Sequence, residues 1–269
     1  MSKTRLDVAL VERGFCESRQ KAQAAIMAGL ATVNGVKVTK AGAGVLETDV
    51  LEVKGPAIPY VSRGGLKLEK AMKLWNIDLT GKVCADIGAS TGGFSDCMLQ
   101  RGAAKVYAVD TGYGKLDWKI RTDPRVVALE RTNARYLTHE QIPDVLDFAS
   151  VDVSFISLRL ILPALRGVLK DGGEVVCLVK PQFEAGRENV GKKGVVKDPA
   201  IHLQVLEHFL GHAKDSGFSV KALTFSPIKG PEGNIEYLGH IIASETPLQE
   251  FELKKLVTES HQTLEEAKV

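Results

Sequence analysis

From Val83 onward, short apolar bursts alternate with longer helical stretches, and this alternation leaves few folds open. Val83–Ile87, Lys105–Val109, Arg125–Leu129, Phe148–Val151, Glu174–Val179, Ser219–Phe225 and Glu236–Ile242 read as strands. Helical stretches stand between most of them, among them Gly93–Arg101, Leu158–Leu169 and Pro199–Ser216. Such alternation predicts βαβ units, hence an α/β fold with a Rossmann-like parallel sheet covered on both faces. The last two strands lack a long helix between them, so an antiparallel hairpin is expected at one end of the sheet. Residues 246–269 read as a polar amphipathic helix carrying Phe251, Leu253, Leu256, Val257 and Leu264, docked loosely or frayed.

The first 59 residues follow another pattern. Residues 5–14 have Leu6, Ala9, Leu10 and Arg13 at helical spacing and stop at Gly14. Ser18 is placed to cap a second helix, Arg19 to Ala28, which Gly29 ends. Asn34-Gly35 between β-branched residues signals a hairpin over residues 31–38. A strand over Val50 to Val53 precedes Lys54-Gly-Pro-Ala-Ile-Pro59, a proline-containing boundary. A small α+β domain over residues 1–59 is therefore expected ahead of an α/β domain over 60–245, with 246–269 as a helical tail.

Val83-Cys-Ala-Asp-Ile-Gly-Ala-Ser-Thr-Gly-Gly-Phe94 is a strand entering a glycine-rich turn and a helix. Gly88, Gly92 and Gly93 permit close backbone approach, and a helix N-terminus offers free N–H groups. A dinucleotide enzyme has G-x-G-x-x-G here, with pyrophosphate on the helix dipole. The spacing in this chain is G-x-x-x-G-G, and Asp86 precedes it. An acid at that point disfavours pyrophosphate and suits a ligand with an ammonium and a sulfonium, which S-adenosylmethionine has. Ser90, Thr91 and Phe94 belong to the same expected binding turn. Asp110 ends the next strand, where an acid commonly holds ribose hydroxyls. Glu130, Arg131, Thr132 and Asn133 end the strand after that and are candidates for an adenine pocket. A plain glycine turn with solvated acids is the alternative reading.

Asp152 and Lys180 each follow an apolar strand, and in an open parallel sheet the strand C-termini face the ligand crevice. Pro181 forces an extended exit beside Lys180. Lys67 lies at the start of the second domain, and Glu236 at the mouth of the final strand. Taken singly, each has an ordinary alternative as a helix cap, a helix face or a solvated strand end.

Six segments together resemble the TlyA family of bacterial ribosomal RNA 2′-O-methyltransferases, often labelled haemolysins. They are Ser62-Arg-Gly-Gly-Leu-Lys-Leu68, Asp86-Ile-Gly-Ala-Ser-Thr-Gly-Gly-Phe94, Leu129-Glu-Arg-Thr-Asn133, Asp152-Val-Ser-Phe-Ile-Ser-Leu158, Val179-Lys-Pro-Gln-Phe-Glu184 and Gly233-Asn-Ile-Glu236. The resemblance runs from about Arg5 to Ile242. It implies an S4-type RNA-binding domain first, then an FtsJ-type, class I methyltransferase sheet that uses S-adenosyl-L-methionine. It also implies a Lys-Asp-Lys-Glu tetrad on Lys67, Asp152, Lys180 and Glu236, cofactor contacts from Asp152 and Phe155, and a cytidine substrate. In the outline that follows, Lys180 takes the proton of a ribose 2′-hydroxyl. A lysine with its ordinary pKa of about 10.4 holds its proton at neutral pH, so a depressed pKa is expected from burial and from Lys67 nearby.

Charge sets where RNA is expected to bind. The net charge is only +2, but residues 1–63 hold nine Lys/Arg against six Asp/Glu. Arg5, Arg19 and Lys21 in the first domain, and Arg63, Arg135, Arg187, Lys192 and Lys193 around the expected cleft, are the candidate phosphate contacts. Ribosomal RNA or a ribosomal subunit is the expected partner of a monomer. No signal sequence or apolar span is visible, so a cytoplasmic protein without membrane contact is expected, against a membrane-lysing role. Cys16, Cys84, Cys97 and Cys177 form no C-x-x-C pair and read as free thiols. His208 and His212 lack the glutamate of a metalloprotease motif, and no metal is expected. A non-catalytic RNA-binding or assembly factor, and an NAD-dependent enzyme, are the remaining alternatives.

Overall fold

The computed structural model describes residues 3–16, 18–53, 58–244 and 250–266. Most of the expected boundary, residues 54–57, and parts of the expected tail, 246–249 and 267–269, lie outside the described residues. The chain divides into two compact units, Met1–Arg63 and Gly64–Val269.

The first unit contains β1 (Thr4–Arg5), α1 (Leu6–Glu12), α2 (Arg19–Met27), β2 (Ala31–Val33), β3 (Val36–Lys37), β4 (Gly44–Val45) and β5 (Leu51–Val53). Ser18 caps α2, its side chain accepting from the Lys21 N–H at 3.2 Å. The β2–β3 hairpin turns at Asn34 (φ 51°) and Gly35 (φ 77°), the left-handed pair that a two-residue hairpin needs. A separate antiparallel pairing, Thr4 with Val45 and Arg5 with Gly44, was not visible as a sequence pattern because each strand spans two residues. Leu6, Leu10, Ile26, Val45 and Leu51 form the core. Each such apolar side chain contributes about 1.5–3 kcal/mol on burial.

The second unit begins with α3 (Gly64–Trp75) and continues with β6 (Val83–Ile87), α4 (Gly93–Gln100), β7 (Lys105–Val109), α5 (Trp118–Arg121) and β8 (Val126–Leu129). There follow β9 (Leu146–Val151), α6 (Leu162–Val168), β10 (Leu169–Val179), α7 (Pro181–Glu184), α8 (Pro199–Asp215), β11 (Ser219–Phe225), β12 (Tyr237–Ile242) and α9 (Leu253–Glu266). The seven strands lie in the order β11-β12-β10-β9-β6-β7-β8. The five strands from β10 to the β8 edge are mutually parallel, and β12 runs antiparallel to both neighbours.

The expected antiparallel β11–β12 pair lies at one end of the sheet, with β11 at the edge and β12 between it and β10. Two expectations need correction. The helix expected over Leu158–Leu169 is a 3-10 turn, Leu158–Leu160, followed by α6, in which Pro163 fits the first turn where its missing N–H costs no bond. Leu169 is already strand. Finally, α9 is firmly docked: Leu253, Val257 and Leu264 are buried in the main core, and Ser260 bonds to the Tyr237 hydroxyl at 3.0 Å. Its period-3.6 apolar stripe is a packing face, so the helix belongs to the sheet's own core.

Candidate active site

The strand order reverses at β6, whose neighbours β7 and β9 are reached by crossovers to opposite sides. A crevice opens outside the strand C-termini at such a point. Gly88, Asp110 and Asp152 are the first residues after β6, β7 and β9, and all three line a cavity of about 250 Å³. Gly88 sits at φ 90°, and a Cβ there would collide with the Asp152 carbonyl. Its missing side chain therefore lets two strand exits touch, with the Asp152 N–H donating to the Ile87 carbonyl at 2.9 Å. Gly92, at φ 91°, is needed for packing as well, since a Cβ would come within 2.9 Å of the Leu116 side chain.

Asp110 is held rigidly at the cavity wall. It accepts from the Ser90 N–H at 2.8 Å and the Gly112 N–H at 2.6 Å, with the Lys115 ammonium 3.8 Å away. Thr132 and Asn133 line the same cavity, as do Thr111, Ser154 and Phe155. Phe155 is 91% exposed and adopts a left-handed φ of 63°.

Asp86 stands elsewhere. It is fully buried; its carboxyl accepts from the Ser95 N–H at 2.8 Å, the Ser95 hydroxyl at 2.7 Å and the Ser150 hydroxyl at 3.2 Å. Burial raises its pKa to about 7, against the lowering effect of those hydrogen bonds. The expected role of Asp86 as an exposed acid beside the glycines is thus corrected: it is turned inward and ties α4 to the sheet. Thr91, Gly92, Gly93 and Phe94 likewise lie off the cavity wall, Phe94 being buried in α4. Glu130 and Arg131 are also outside the wall. Glu130 is engaged by Arg121 and by the Gly114 N–H, and the Arg131 guanidinium lies over the Tyr113 ring at 4.4 Å.

The four tetrad candidates come together as two ion pairs. The Lys67 ammonium is 2.6 Å from Glu236, both buried. The Lys180 ammonium is 2.5 Å from Asp152 and donates to the Ser154 hydroxyl at 3.3 Å. Antiparallel register pairs Val179 with Tyr237, so Lys180 and Glu236 occupy the next step of the same ladder. Gln182 donates to Glu236 at 3.4 Å. From the sequence, Lys67 is expected to act on Lys180 as a second cation. In the structure each lysine has a carboxylate of its own, so the cluster is charge-balanced. Gln182, Ser154 and Lys115 were missed. The first two stand within two residues of Lys180 and Asp152, which was the available signal.

The candidate RNA cations fall into two groups. Arg5 and Arg19 each reach the buried Asp7 at 3.0 Å, with about half of each arginine side chain exposed. Lys21 and Arg63 are exposed, as are Arg187, Lys192 and Lys193 in the loop between α7 and α8. Arg135 is exposed beside the Tyr136 ring, 5.4 Å from its centroid.

Comparison with known proteins identifies the lineage. An FtsJ-like methyltransferase family model matches residues 60–241, and an S4 domain model matches residues 4–51. "Putative rRNA methyltransferase YqxC" of Bacillus subtilis is 51% identical, covering 99% of this chain and 97% of its own. "16S/23S rRNA (cytidine-2'-O)-methyltransferase TlyA" of Mycobacterium tuberculosis is 44% identical over 87% of this chain and 88% of its own. A solved structure described as "Putative hemolysin from Streptococcus thermophilus" superposes with a TM-score of 0.81 at 47% identity, covering 100% of this chain and 99% of that one. With an S4 domain ahead of an FtsJ-like methyltransferase domain and relatives of this similarity along its length, the chain belongs to the TlyA family.

Proposed function

We propose that the chain methylates the ribose 2′-hydroxyl of a cytidine in ribosomal RNA, with S-adenosyl-L-methionine as donor. The observation that carries this reading is the pair of lysine–carboxylate contacts, Lys180–Asp152 and Lys67–Glu236, with Asp152 lining the cavity after β6, β7 and β9 and Lys180 and Glu236 on one step of the β10–β12 ladder. When bound, S-adenosylmethionine supplies a methyl group on a positively charged sulfur. The cavity residues fit it. Asp110 offers a fixed carboxylate for ribose hydroxyls, Thr132 and Asn133 offer polar atoms for a purine edge, and Asp152 offers negative charge at the inner end.

Lys180 first releases its own proton to solvent, and the neutral Nζ then receives the proton of the attacking hydroxyl. Asp152 and Ser154 hold that nitrogen in place. Glu236 fixes Lys67, which lies ready to balance charge on the developing alkoxide. Alignment of the reacting atoms supplies part of the acceleration, and proton transfer typically contributes about 10²–10⁴-fold. The S4 unit, through Arg5, Arg19 and Lys21, and the second set of cations, Arg63, Arg135, Arg187, Lys192 and Lys193, hold RNA phosphates and position the substrate without reading its bases. Acting on ribosomal RNA, the enzyme works in the cytoplasm.

Lys180→Ala is the direct test. Transfer of labelled methyl from the cofactor to ribosomal RNA should drop by about 10²–10⁴-fold while cofactor affinity stays within about twofold. Near-normal turnover would remove Lys180 from its role. Mass mapping of ribose methylation in the product tests the cytidine assignment.

A further inference from the structure

The segment after Asp152 is strained. Phe155 holds a left-handed backbone, φ 63°, which a bulky side chain adopts only when its surroundings impose it. Residues 152–156 also form one wall of the cavity. What imposes the strain is therefore part of how the site is shaped.

Two anchors hold this loop. At its near end the Asp152 N–H donates to Ile87, and the Asp152 carboxylate meets Lys180. At its far end the Ser157 hydroxyl donates to Glu184 at 2.6 Å, and the Leu158 N–H donates to the same carboxylate at 2.8 Å. Leu158 opens a 3-10 turn, so its N–H has no partner within that turn. Ser157 is bound on both sides, since its oxygen also accepts from the Arg159 N–H at 3.2 Å. Between the anchors, the rings of Phe155 and Phe183 meet with centroids 5.0 Å apart. The loop and residues 180–184 are thus joined at successive points, Lys180 to Asp152, Phe183 to Phe155 and Glu184 to Ser157. Glu184 is largely buried, and burial raises its pKa, so this carboxyl is kept in place at a cost.

We propose that Glu184 is a positioning residue: it fixes the far end of the strained loop 152–156 against the segment that carries Lys180, and so sets the Lys180–Asp152 contact and the cavity wall in place. This rests on the reading of Lys180 and Asp152 given above. Glu184 touches neither of the reacting groups, and its effect passes through the loop.

The test uses the full-length protein, labelled cofactor and ribosomal RNA, with turnover expressed per cofactor-binding site. Glu184→Gln keeps the shape but brings an amide N–H against the Leu158 N–H if it retains the serine contact. It should lower kcat by about 10²-fold while KM for RNA changes little, because a displacement of about 1 Å at a reacting centre costs that much. Glu184→Asp, which keeps the charge, should recover part of the rate. Amide exchange over residues 153–160 should accelerate in the glutamine variant and not elsewhere in the sheet. Wild-type kcat per site in Glu184→Gln, with unchanged exchange, would overturn the proposal. If that variant fails to fold, Ser157→Ala removes one of the two contacts. It should reduce kcat by about fivefold, and an unchanged kcat there would also overturn it. If the wild-type protein transfers no methyl group, the functional reading fails, while exchange over 153–160 in Glu184→Gln still decides whether Glu184 holds the loop.

Discussion

Each unit buries an aspartate, and the two are held in opposite ways. Asp7 in the first unit has no accessible surface, yet it lies under a thin cover of charged and polar side chains. Arg5 and Arg19 each approach at 3.0 Å and Gln23 donates at 2.7 Å. The Arg5 hydrogen bond, with help from Gln23 and Arg19, holds its carboxyl well below the usual range. Asp86 in the second unit has only the neutral donors Ser95 and Ser150, and burial pushes its pKa up to about 7. Burial by itself does not fix a carboxyl's charge. The partners decide: here the arginine contacts outweigh desolvation, and the neutral donors on Asp86 do not.

The difference can be broken first through pH. Asp86 has a folded pKa above its unfolded value of 3.8, so the folded state binds the extra proton. Its contribution is fully present below about pH 4 and is lost as pH rises towards 7, by roughly 4 kcal/mol in total. Asp86→Asn keeps the acceptor oxygen for Ser95 and places a donor towards Ser150. Its stability relative to wild type should therefore grow from nothing near pH 4 to this value near pH 7. Urea unfolding followed by tryptophan fluorescence reads this, since Trp75 and Trp118 both lie in the second unit. Asp7, with a lowered pKa, runs the other way: its contribution is present above about pH 4 and is lost only as pH falls below that.

Asp86→Ala should be the next largest effect, a loss of about 3 kcal/mol in the same unfolding measurement near pH 5, because it leaves the buried Ser95 N–H and hydroxyl unsatisfied. Asp7→Asn should be milder. The arginines are half exposed and solvent screens them, so the first unit should lose about 5 °C in its calorimetric midpoint, and less in high salt. The smallest effect sharpens the comparison on RNA. Arg135 makes no ion pair among the described residues, so Arg135→Ala should reduce the slope of log affinity against log salt by about one. Arg19→Ala should reduce it by less, because Asp7 already neutralises part of that charge. Equal slopes in filter binding would show that the arginines beside Asp7 are as available to phosphate as Arg135.

Much of the scaffold was legible because its signals are local. The Ser18 cap, the Asn34-Gly35 turn and the seven strands of the sheet all express propensities over a few residues, and they appear where expected. The positions of Gly88, Asp110 and Asp152 at strand exits were legible for the same reason. The direction in which a side chain turns was not. Asp86 lies at the end of a strand like Asp110, but alternation along β6 and the arrival of Ser95 and Ser150 turn it into the interior. The expected loose tail failed for a related reason. An amphipathic stripe says that a face seeks cover, and only the fold says whether cover exists, as it does for Leu253, Val257 and Leu264.

Composition and motif spacing alone determined the α/β class, the order of the two domains and the residue types that reach the sheet's C-terminal edge. Pairing was decided only in three dimensions. Lys67 meets Glu236 across 169 positions of chain, Glu184 meets Ser157 across 27, and β12 enters the sheet between two strands that precede it. Local propensity acts over a turn or a strand. Charge partners and hydrogen-bond donors are chosen by packing between elements far apart in the chain, where a few tenths of an ångström and the exclusion of water decide which groups meet.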